Sequence, residues 1–534
     1  MVPKRMLAKA YAISLMGLAG TVVEVESEIS SSLPGFVLVG LPDASLTESK
    51  DRVRAAIQNS GLKMPDRRVT VNLSPAAVRK QGSSYDLAIA VSVLAAAGSL
   101  RPESIVGWLH LGELGLDGSV RKVVGILPSL LAAKAAGILR AVVPLDNLAE
   151  AQLVHGFEVV PVSHFRQVAS MHGAKISFEE HPEIPIANAQ PIKRDLPKDL
   201  VQLDISDVLG QEEAVDALVV AAAGGHHVLM IGPPGAGKTM MAERLPGLLP
   251  DMNLEQALET TAVLSISGNR TISGEGLVIR PPFEAPHHSA SVSSLVGGGL
   301  GMPRPGIISF ANNGVLFLDE APEFQKPVLE ALRQPLESGE VVINRSGGSA
   351  KFPAKFQLVL AANPCPCGNS FGTARSCRCS DQQKNLYMSK LSGPLLDRVD
   401  IRLSINAASP AQLAQARSQV AANPGTLGTS ARLREVVADA RARADKRLKN
   451  TPWQINAQVP GAYLRRFLPL PAEVAAKLDG ALARGRMSMR GYDRCLRLAW
   501  SIADLAGRDV PNQFDVSKAI FLRGSEDLSM FQNG

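Results

Sequence analysis

The residues best suited to chemistry form a run of small side chains that ends in a lysine and a threonine. The run is GPPGAGKT, and its members are Gly232, Pro233, Pro234, Gly235, Ala236, Gly237, Lys238 and Thr239. It fits the pattern G-x-x-x-x-G-K-[ST], in which backbone N–H groups surround phosphates, the lysine reaches the β- and γ-phosphates and the hydroxyl binds Mg²⁺. The apolar stretch HHVLMI precedes the run and a helical pattern follows it. The segment therefore predicts a site for ATP and Mg²⁺ between a strand and a helix.

Two acids end a second apolar stretch, GVLFLDE. In a phosphate-transferring site Asp319 would hold the Mg²⁺, directly or through water, and Glu320 would polarise the attacking water. The alternative interpretation is a strand with an exposed acidic end. The phosphate-binding run elsewhere in the chain favours the catalytic interpretation.

Three further side chains have the types and the chain order of nucleotide-sensing groups. Asn363 follows the apolar stretch FQLVLAAN and would orient the attacking water; the alternative is an ordinary turn-forming asparagine. Arg398 in SGPLLDR would act as a finger on the γ-phosphate of a neighbouring subunit. Arg490 follows Ser488, a candidate helix N-cap, and would swing onto the nucleotide from a lid, with Arg494 as the alternative. For each arginine a surface ion pair is the competing interpretation.

Four of the five cysteines lie within fifteen residues, in the order C-x-C, nine residues, C-x-C. Cys365, Cys367, Cys377 and Cys379 offer four thiolates to one tetrahedral ion, which predicts a structural Zn²⁺ with no open catalytic position. Unligated or redox-active thiols are the alternative. Because the segment lies between Asn363 and Arg398 in the chain, we expect it to project away from the nucleotide.

Three modules must position these groups. Residues 1–175 mix strand and helix patterns, 176–200 form a proline- and charge-rich linker, 201–408 form an α/β core that includes the cysteine-rich insertion 365–379, and 409–534 form a helical lid. The predicted fold class is α/β, with a phosphate-loop core followed by helices.

Composition limits the class of protein. The chain has 534 residues, 46% hydrophobic and 20% charged, so it can bury several cores. A net charge of +6 is compatible with nucleic acid but also with a solvated basic surface. There is no uninterrupted apolar run of about 18 residues, so we expect no membrane span. The cysteine pattern is not that of a secreted disulfide framework, which favours the cytoplasm.

The order of phosphate loop, acidic strand, sensor asparagine, PLLDR and S-x-R resembles the AAA+ superfamily, in the branch of magnesium chelatase ATPase subunits and MCM helicases. RPPFEAPHHSASVSSLVGGGLGMPRPG is similar to that branch's insert in the second helix. LESGEVVINRSGGSAKFPAKFQLVLAAN resembles its hairpin before the sensor strand. Arg345 and Lys351 flank the hairpin tip and are the candidate DNA contacts, although an exposed soluble hairpin would look the same.

The stretch HLGELGLDGSVRKVVGILPSLLAAKAAGILRAVVP resembles the proteolytic domain of Lon proteases. On that pattern Leu127 stands where the catalytic lysine belongs, and Ser84 is the nearest serine. A serine without a base is not activated. The resemblance therefore implies a Lon-like α/β domain without the proteolytic dyad.

Together these segments resemble the bacterial ComM family, also called YifB or magnesium chelatase-like proteins, over nearly the whole chain. The resemblance implies a hexameric, ATP-driven helicase that promotes branch migration of DNA joint molecules in natural transformation. The alternative is a chelatase-type remodelling ATPase that acts on a protein partner. An ATP-dependent protease is a third possibility, against which Leu127 counts.

Overall fold

The computed structural model describes residues 6–40, 43–176, 203–268, 276–299, 303–345, 348–370, 377–422 and 429–524. The predicted linker, 176–200, lies outside these residues from 177 onward. None of the helices within the described ranges combines the length and the apolar character that a membrane crossing needs.

The first module is a mixed seven-stranded sheet in the order β3-β4-β2-β1-β5-β8-β9, with β6 and β7 paired beside it. In β4 the buried side chains alternate with partly exposed ones, as expected of a strand with one face on a core. The strands are β1 (Met6–Met16), β2 (Ala19–Ser30), β3 (Gly35–Val39), β4 (Arg68–Ser74), β5 (Trp108–His110), β6 (Glu113–Leu114), β7 (Val120–Arg121), β8 (Arg140–Pro144) and β9 (Glu158–Val162). The helices are α1 (Ala44–Asn59), α2 (Asp86–Ala96), α3 (Ile126–Ala135), α4 (Leu148–Ala151) and α5 (Phe165–Met171).

The core module is built on a parallel sheet of five strands in the order β11-β14-β17-β10-β18. Its three central strands, β14, β17 and β10, are buried at every residue because helices cover both faces. The strands are β10 (Val228–Ile231), β11 (Phe283–Glu284), β14 (Val315–Leu318), β17 (Gln357–Ala362) and β18 (Ile401–Ser404). Two antiparallel pairs stand apart from the sheet: β12 (Gly297–Gly298) with β13 (Arg304–Pro305), and β15 (Glu340–Arg345) with β16 (Gly348–Pro353).

Helices of the core precede, follow or connect these strands. They are α6 (Glu212–Gly224), α7 (Lys238–Leu248), α8 (Leu254–Ser267), α9 (Val292–Val296), α10 (Ile307–Phe310), α11 (Lys326–Ala331), α12 (Arg333–Ser338), α13 (Asp381–Met388) and α14 (Gly393–Leu396). Short 3-10 helices occur at Pro102–Ile105, Leu145–Asn147, Ile205–Asp207, Ala321–Glu323 and Asn456–Gln458.

The C-terminal module is helical. Its helices are α15 (Pro410–Ala422), α16 (Ser430–Leu448), α17 (Gly461–Phe467), α18 (Ala472–Ala483), α19 (Met489–Leu505) and α20 (Gln513–Arg523). Helices α16 and α19 pack on α6 of the core, and one apolar cluster runs through both modules. The prediction of an α/β fold with a helical C-terminal part is therefore confirmed.

A buried polar chain also joins the helices to the core sheet. Asp504 pairs with Arg447 over 2.6 Å, and the guanidinium of Arg447 lies 4.3 Å from the Trp500 ring centroid. On the same helix as Asp504, Ser501 Oγ lies 2.8 Å from Nε2 of His226, which precedes β10. Buried hydrogen-bonded groups of this kind are costly to separate, so the helices stay fixed on the sheet.

The first module docks on the core through α3 and α8. Ala262 of α8 belongs to the same apolar cluster as Ile13 and Leu127 of the first module. Glu150 accepts hydrogen bonds from the Leu127 backbone N–H and from the Ser265 hydroxyl of α8. Leu127, which the sequence resemblance predicted to stand at the Lon-type lysine position, is fully buried next to this joint between two modules.

Candidate nucleotide site

The phosphate loop connects β10 to α7 at the carboxyl edge of the parallel sheet. Gly237 caps α7 in the left-handed conformation, with φ of 87°, which favours glycine. The Lys238 amine donates to the carbonyl oxygens of Gly232 and Pro233 at 2.6 and 2.9 Å, and to Asn363 Oδ1 at 3.2 Å. Burial lowers the pKa of the Lys238 amine, while the carboxylates of Asp319 and Glu320 oppose that shift. A phosphate here would replace these acceptors and satisfy the cation.

The hydroxyl and the carboxylate expected to hold Mg²⁺ lie side by side. Thr239 Oγ1 donates to Asp319 Oδ2 over 2.7 Å, because β10 and β14 both deliver their carboxyl ends to this edge. Mg²⁺ prefers oxygen ligands and keeps several waters, so a hydroxyl and a carboxylate beside a triphosphate suit it. The donor set therefore fits ATP with Mg²⁺.

Glu320 lies in a conformation that a non-glycine residue rarely adopts, with φ of 49°. Such strain is common where a side chain must be aimed at a reacting group. Its carboxylate is half exposed and lies 3.7 Å from Nδ1 of His288, whose ring contacts that of His287. Sequence reasoning missed His288. The signal was available, because the pair of histidines comes two residues after β11, the edge strand beside β14.

The arginines lie at the other edge of the sheet. Asp400 N–H and Ile401 N–H both donate to the carbonyl of His227, which precedes β10, so the segment with Arg398 meets the amino ends of the strands. The four residues of β10 separate this edge from the phosphate loop by about 13 Å. Arg398 pairs with Glu337 and donates to the Pro394 carbonyl.

Arg490 was predicted to swing onto the nucleotide from a lid, and that movement stays a prediction. Its side chain, 78% exposed, pairs with Asp397 over 2.8 Å, one residue before Arg398. It therefore lies at the amino edge with Arg398. Ser488 caps α19, as the sequence suggested.

Arg494, the alternative to Arg490, forms an ion pair in the protein interior. It pairs with Asp400, which is buried and also accepts from His226 Nδ1 at 2.9 Å. Burial alone would raise the pKa of the Asp400 carboxyl, but Arg494 and His226 hold it well below its usual value. The guanidinium of Arg494 therefore neutralises the buried carboxylate of Asp400.

The four clustered cysteines converge as predicted from their spacing. Their sulfur atoms lie within 4.8 Å of one another, with Cys365 Sγ at 3.3 Å from Cys367 Sγ and 3.8 Å from Cys377 Sγ. Zinc–sulfur bonds of about 2.3 Å in a tetrahedron place sulfur atoms about 3.8 Å apart, so the donor set fits Zn²⁺.

The cysteine cluster does not project away from the nucleotide, contrary to expectation. A Cβ on Gly368 would lie 2.7 Å from the ring of Pro234 in the phosphate loop. The insertion starts two residues after Asn363, at the end of β17, and β17 is the neighbour of β10. That adjacency brings the cluster against the loop.

The two candidate DNA cations of the hairpin β15–β16 are in different surroundings. Arg345 is exposed, and its Nη2 would lie 3.4 Å from a Cβ on Gly298. Lys351 pairs with Glu340 over 3.1 Å, and its backbone forms a bridge to Gly17 of the first module. Residues 346–347, between the two strands of the hairpin, lie outside the described residues.

A five-stranded parallel sheet with a phosphate loop, an acidic strand and a polar sensor at one edge defines an AAA+-type protein. Models of magnesium chelatase families match most of the chain and agree with this class. "Magnesium chelatase, subunit ChlI" matches residues 204–413, "Subunit ChlI of Mg-chelatase" matches 25–147, and "Magnesium chelatase, subunit ChlI C-terminal" matches 428–523.

Full-length relatives complete the identification. An uncharacterized protein of Mycobacterium tuberculosis is 46% identical over 97% of this chain and 98% of its own length. YifB of Escherichia coli is 38% identical over 98% of both chains, and competence protein ComM of Haemophilus influenzae is 40% identical over 97% of both. The chain belongs to the YifB/ComM family of magnesium chelatase-like AAA+ proteins.

Proposed function

We propose that the protein is a ring-forming, ATP-hydrolysing motor that moves along DNA in the cytoplasm and promotes branch migration during natural transformation and homologous recombination. One observation carries the motor part of the proposal. The phosphate loop and the finger arginines lie at opposite edges of the same sheet, so a nucleotide meets both only between two copies of the chain. Repetition of that contact closes a ring, for which the family resemblance implies six subunits.

In this site each group has one task. Lys238 and the loop amides bind the β- and γ-phosphates, while Thr239 and Asp319 hold the Mg²⁺ that shields their charge. Glu320 orients and polarises the attacking water, assisted by Asn363. From the adjacent subunit, Arg398 and Arg490 stabilise charge that develops on the γ-phosphate.

The DNA part of the proposal is supported by two facts. A relative similar over its full length bears the name competence protein. The exposed Arg345 provides the kind of cation that neutralises phosphate without regard to base sequence.

Beside the nucleotide site we propose a structural Zn²⁺ that supports the phosphate loop through Gly368. Its ligands would be Cys365, Cys367, Cys377 and Cys379.

A chelatase-type remodelling ATPase that acts on a protein is the second candidate, favoured by the matches to magnesium chelatase subunits. Both candidates use the same nucleotide site and differ in substrate. The dependence of ATP turnover on DNA separates them.

The deciding experiment follows a labelled synthetic junction of three or four DNA strands with ATP, using the wild type and Glu320→Gln. We expect the wild type alone to convert the junction, because the variant binds ATP without hydrolysing it. If neither protein converts it, and DNA does not stimulate the wild-type ATPase, the motor would act on another substrate and the chelatase-type candidate would be preferred.

A further inference from the structure

The backbone around Arg398 is held by arginines from other parts of the fold. It runs from Leu396, the last residue of α14, to Asp400, which precedes β18, and we call it the finger segment. Each residue of the finger segment accepts a hydrogen bond from an arginine, through its carbonyl oxygen or its carboxylate. The pairs are Leu396 with Arg402, Asp397 with Arg490, Arg398 with Arg494, Val399 with Arg523, and Asp400 with Arg494.

Two of these arginines donate to carbonyl oxygens at Arg398 itself and at the residue after it. Arg494 Nη1 donates to the Arg398 carbonyl oxygen over 3.0 Å, and Arg523 Nη1 donates to the Val399 carbonyl oxygen. Residues 397–400 are neither helix nor strand, so these carbonyls lie outside the regular hydrogen-bond ladders. A carbonyl oxygen that is withdrawn from water needs a donor, and the two guanidinium groups supply one.

Both arginines are attached to a rigid part of the molecule. Arg494 lies on α19 and Arg523 ends α20, and these two helices pack against each other. Arg494 also pairs with the buried Asp400, so its guanidinium cannot move without leaving a carboxylate unpaired. The backbone of the finger segment is therefore fixed to the C-terminal helices.

The side chain of Arg398 is held in a different way. Its guanidinium pairs with Glu337, a carboxylate that is 67% exposed. An ion pair with an exposed carboxylate contributes little free energy, so a phosphate can replace Glu337 at small cost. The structure thus combines a fixed backbone with an exchangeable guanidinium.

The charges around Arg398 are arranged for an anion. Burial and the neighbouring guanidinium groups of Arg333, Arg494 and Arg490 lower the pKa of Arg398. Like charges that are brought together in this way disfavour the charged form of each group, and an incoming phosphate relieves the repulsion. A purely structural arrangement would gain nothing from this concentration of cations.

We propose that Arg494 and Arg523 are positioning residues for Arg398. They fix its backbone at the place from which its guanidinium reaches the γ-phosphate that the neighbouring subunit binds. A misplacement of about 1 Å at a reacting centre can lower a rate by about 10²-fold, so the support of the finger segment matters for turnover. The inference rests on the proposed function and names two residues that serve its trans-acting arginine.

Steady-state ATP turnover of full-length Arg523→Gln tests this proposal. We expect kcat to fall by about 10²-fold while the KM for ATP stays close to that of the wild type, because the variant keeps its own phosphate loop. Arg523→Lys keeps a donor and a charge, and should recover part of the rate. The control is Arg441→Gln, which removes a hydrogen bond of 2.7 Å to the Ala222 carbonyl oxygen of α6 and should leave kcat unchanged. Melting temperatures show that each variant is folded.

Mixed rings distinguish positioning of the finger from a general structural effect. Arg523→Gln mixed with Lys238→Ala should regain activity, because the intact loop of the first variant then meets the intact finger of the second. Arg523→Gln mixed with Arg398→Ala should stay at the level of the separate variants, because neither supplies a working finger.

The outcomes separate this inference from the proposed function. A wild-type kcat in Arg523→Gln overturns the inference, and so does equal activity of the two mixtures when mixed rings are detected in both. In either case Arg398 keeps its role if Arg398→Ala is inactive. If Arg398→Ala turns over ATP at the wild-type rate, the trans-acting finger of the proposed function fails, and the inference fails with it.

Discussion

The Lys238 amine donates a hydrogen bond to Asn363 Oδ1 over 3.2 Å. The two residues are far apart in the chain but follow adjacent parallel strands, in which Ile231 pairs with Ala362. The contact joins the phosphate-binding lysine to the residue proposed to orient water. A change at either residue is therefore expected to affect the same reaction step.

Replacing Asn363 tests that link. Asn363→Ala should lower the rate of ATP turnover by about 10²-fold, because a preorganised polar group at the reacting centre is lost, while nucleotide binding is largely kept. Single-turnover hydrolysis and binding of a fluorescent ATP analogue separate the two effects. Wild-type turnover in the variant would show that Asn363 is only a turn residue.

The phosphate loop and the finger arginines lie at opposite edges of the core sheet. We therefore expect two variants that are inactive alone to complement each other when mixed. Glu320→Gln keeps its arginines, and Arg398→Ala keeps its own phosphate loop, so mixed rings should contain some complete sites. Because a finger arginine contributes about 10³-fold or more to the rate, restored ATPase activity should be easy to measure.

The matched control mixes Glu320→Gln with Lys238→Ala. Every subunit then has a defective loop-side half-site, and activity should stay at the level of the separate variants. If the Arg398→Ala mixture is equally inactive although mixed rings are detected, Arg398 does not act across the subunit contact.

His288 should position Glu320. His288→Ala should reduce turnover by about tenfold with little effect on ATP binding, because a misplaced water-activating carboxylate slows chemistry more than binding. His155→Ala, an exposed histidine of the first module, is the control. A loss of binding equal to the loss of turnover would indicate a general structural role instead.

The cysteine cluster predicts one Zn²⁺ for each chain. Cys365→Ser and Cys377→Ser should lose the metal, measured by mass spectrometry of the purified proteins, and should bind ATP more weakly because Gly368 contacts Pro234. Cys495→Ser should keep the metal, since Cys495 is buried among the C-terminal helices. A wild type without zinc, or a Cys365→Ser variant that retains it, would contradict the assignment.

The bridge between Gly17 and Lys351 should hold the hairpin against the first module. A Cβ on Gly17 would lie 2.6 Å from the Lys351 carbonyl oxygen, whereas a Cβ on Gly61, which has a similar positive φ, meets nothing within 4 Å. Both alanine substitutions destabilise the protein by about 1–2 kcal/mol, because each places a side chain at a positive φ. Gly17→Ala alone should increase hydrogen exchange in residues 348–353. Equal exchange in the two variants would mean that the bridge does not restrain the hairpin.

Some residues could be predicted from the sequence because their chemistry is local. Gly232 to Thr239 form a loop whose conformation depends on neighbouring glycines and on the strand and helix that it joins. The cysteines at 365–379 converge because short spacers keep them within reach of one another. His288 was missed, because it gains its role from Glu320, a residue that follows another strand.

By itself the sequence determined the family, the phosphate loop, the acidic strand end and the convergence of four thiols, since each depends on residue types at short range. Only the tertiary structure decided that Arg398 and Arg490 lie at the edge opposite the phosphate loop, that the cysteine-rich insertion contacts that loop through Gly368, and that Lys351 docks on the first module. These relationships follow from which strands are adjacent and on which side the C-terminal helices pack. Strand adjacency and helix packing both depend on contacts between residues that are distant in the chain, so no local sequence pattern predicts them.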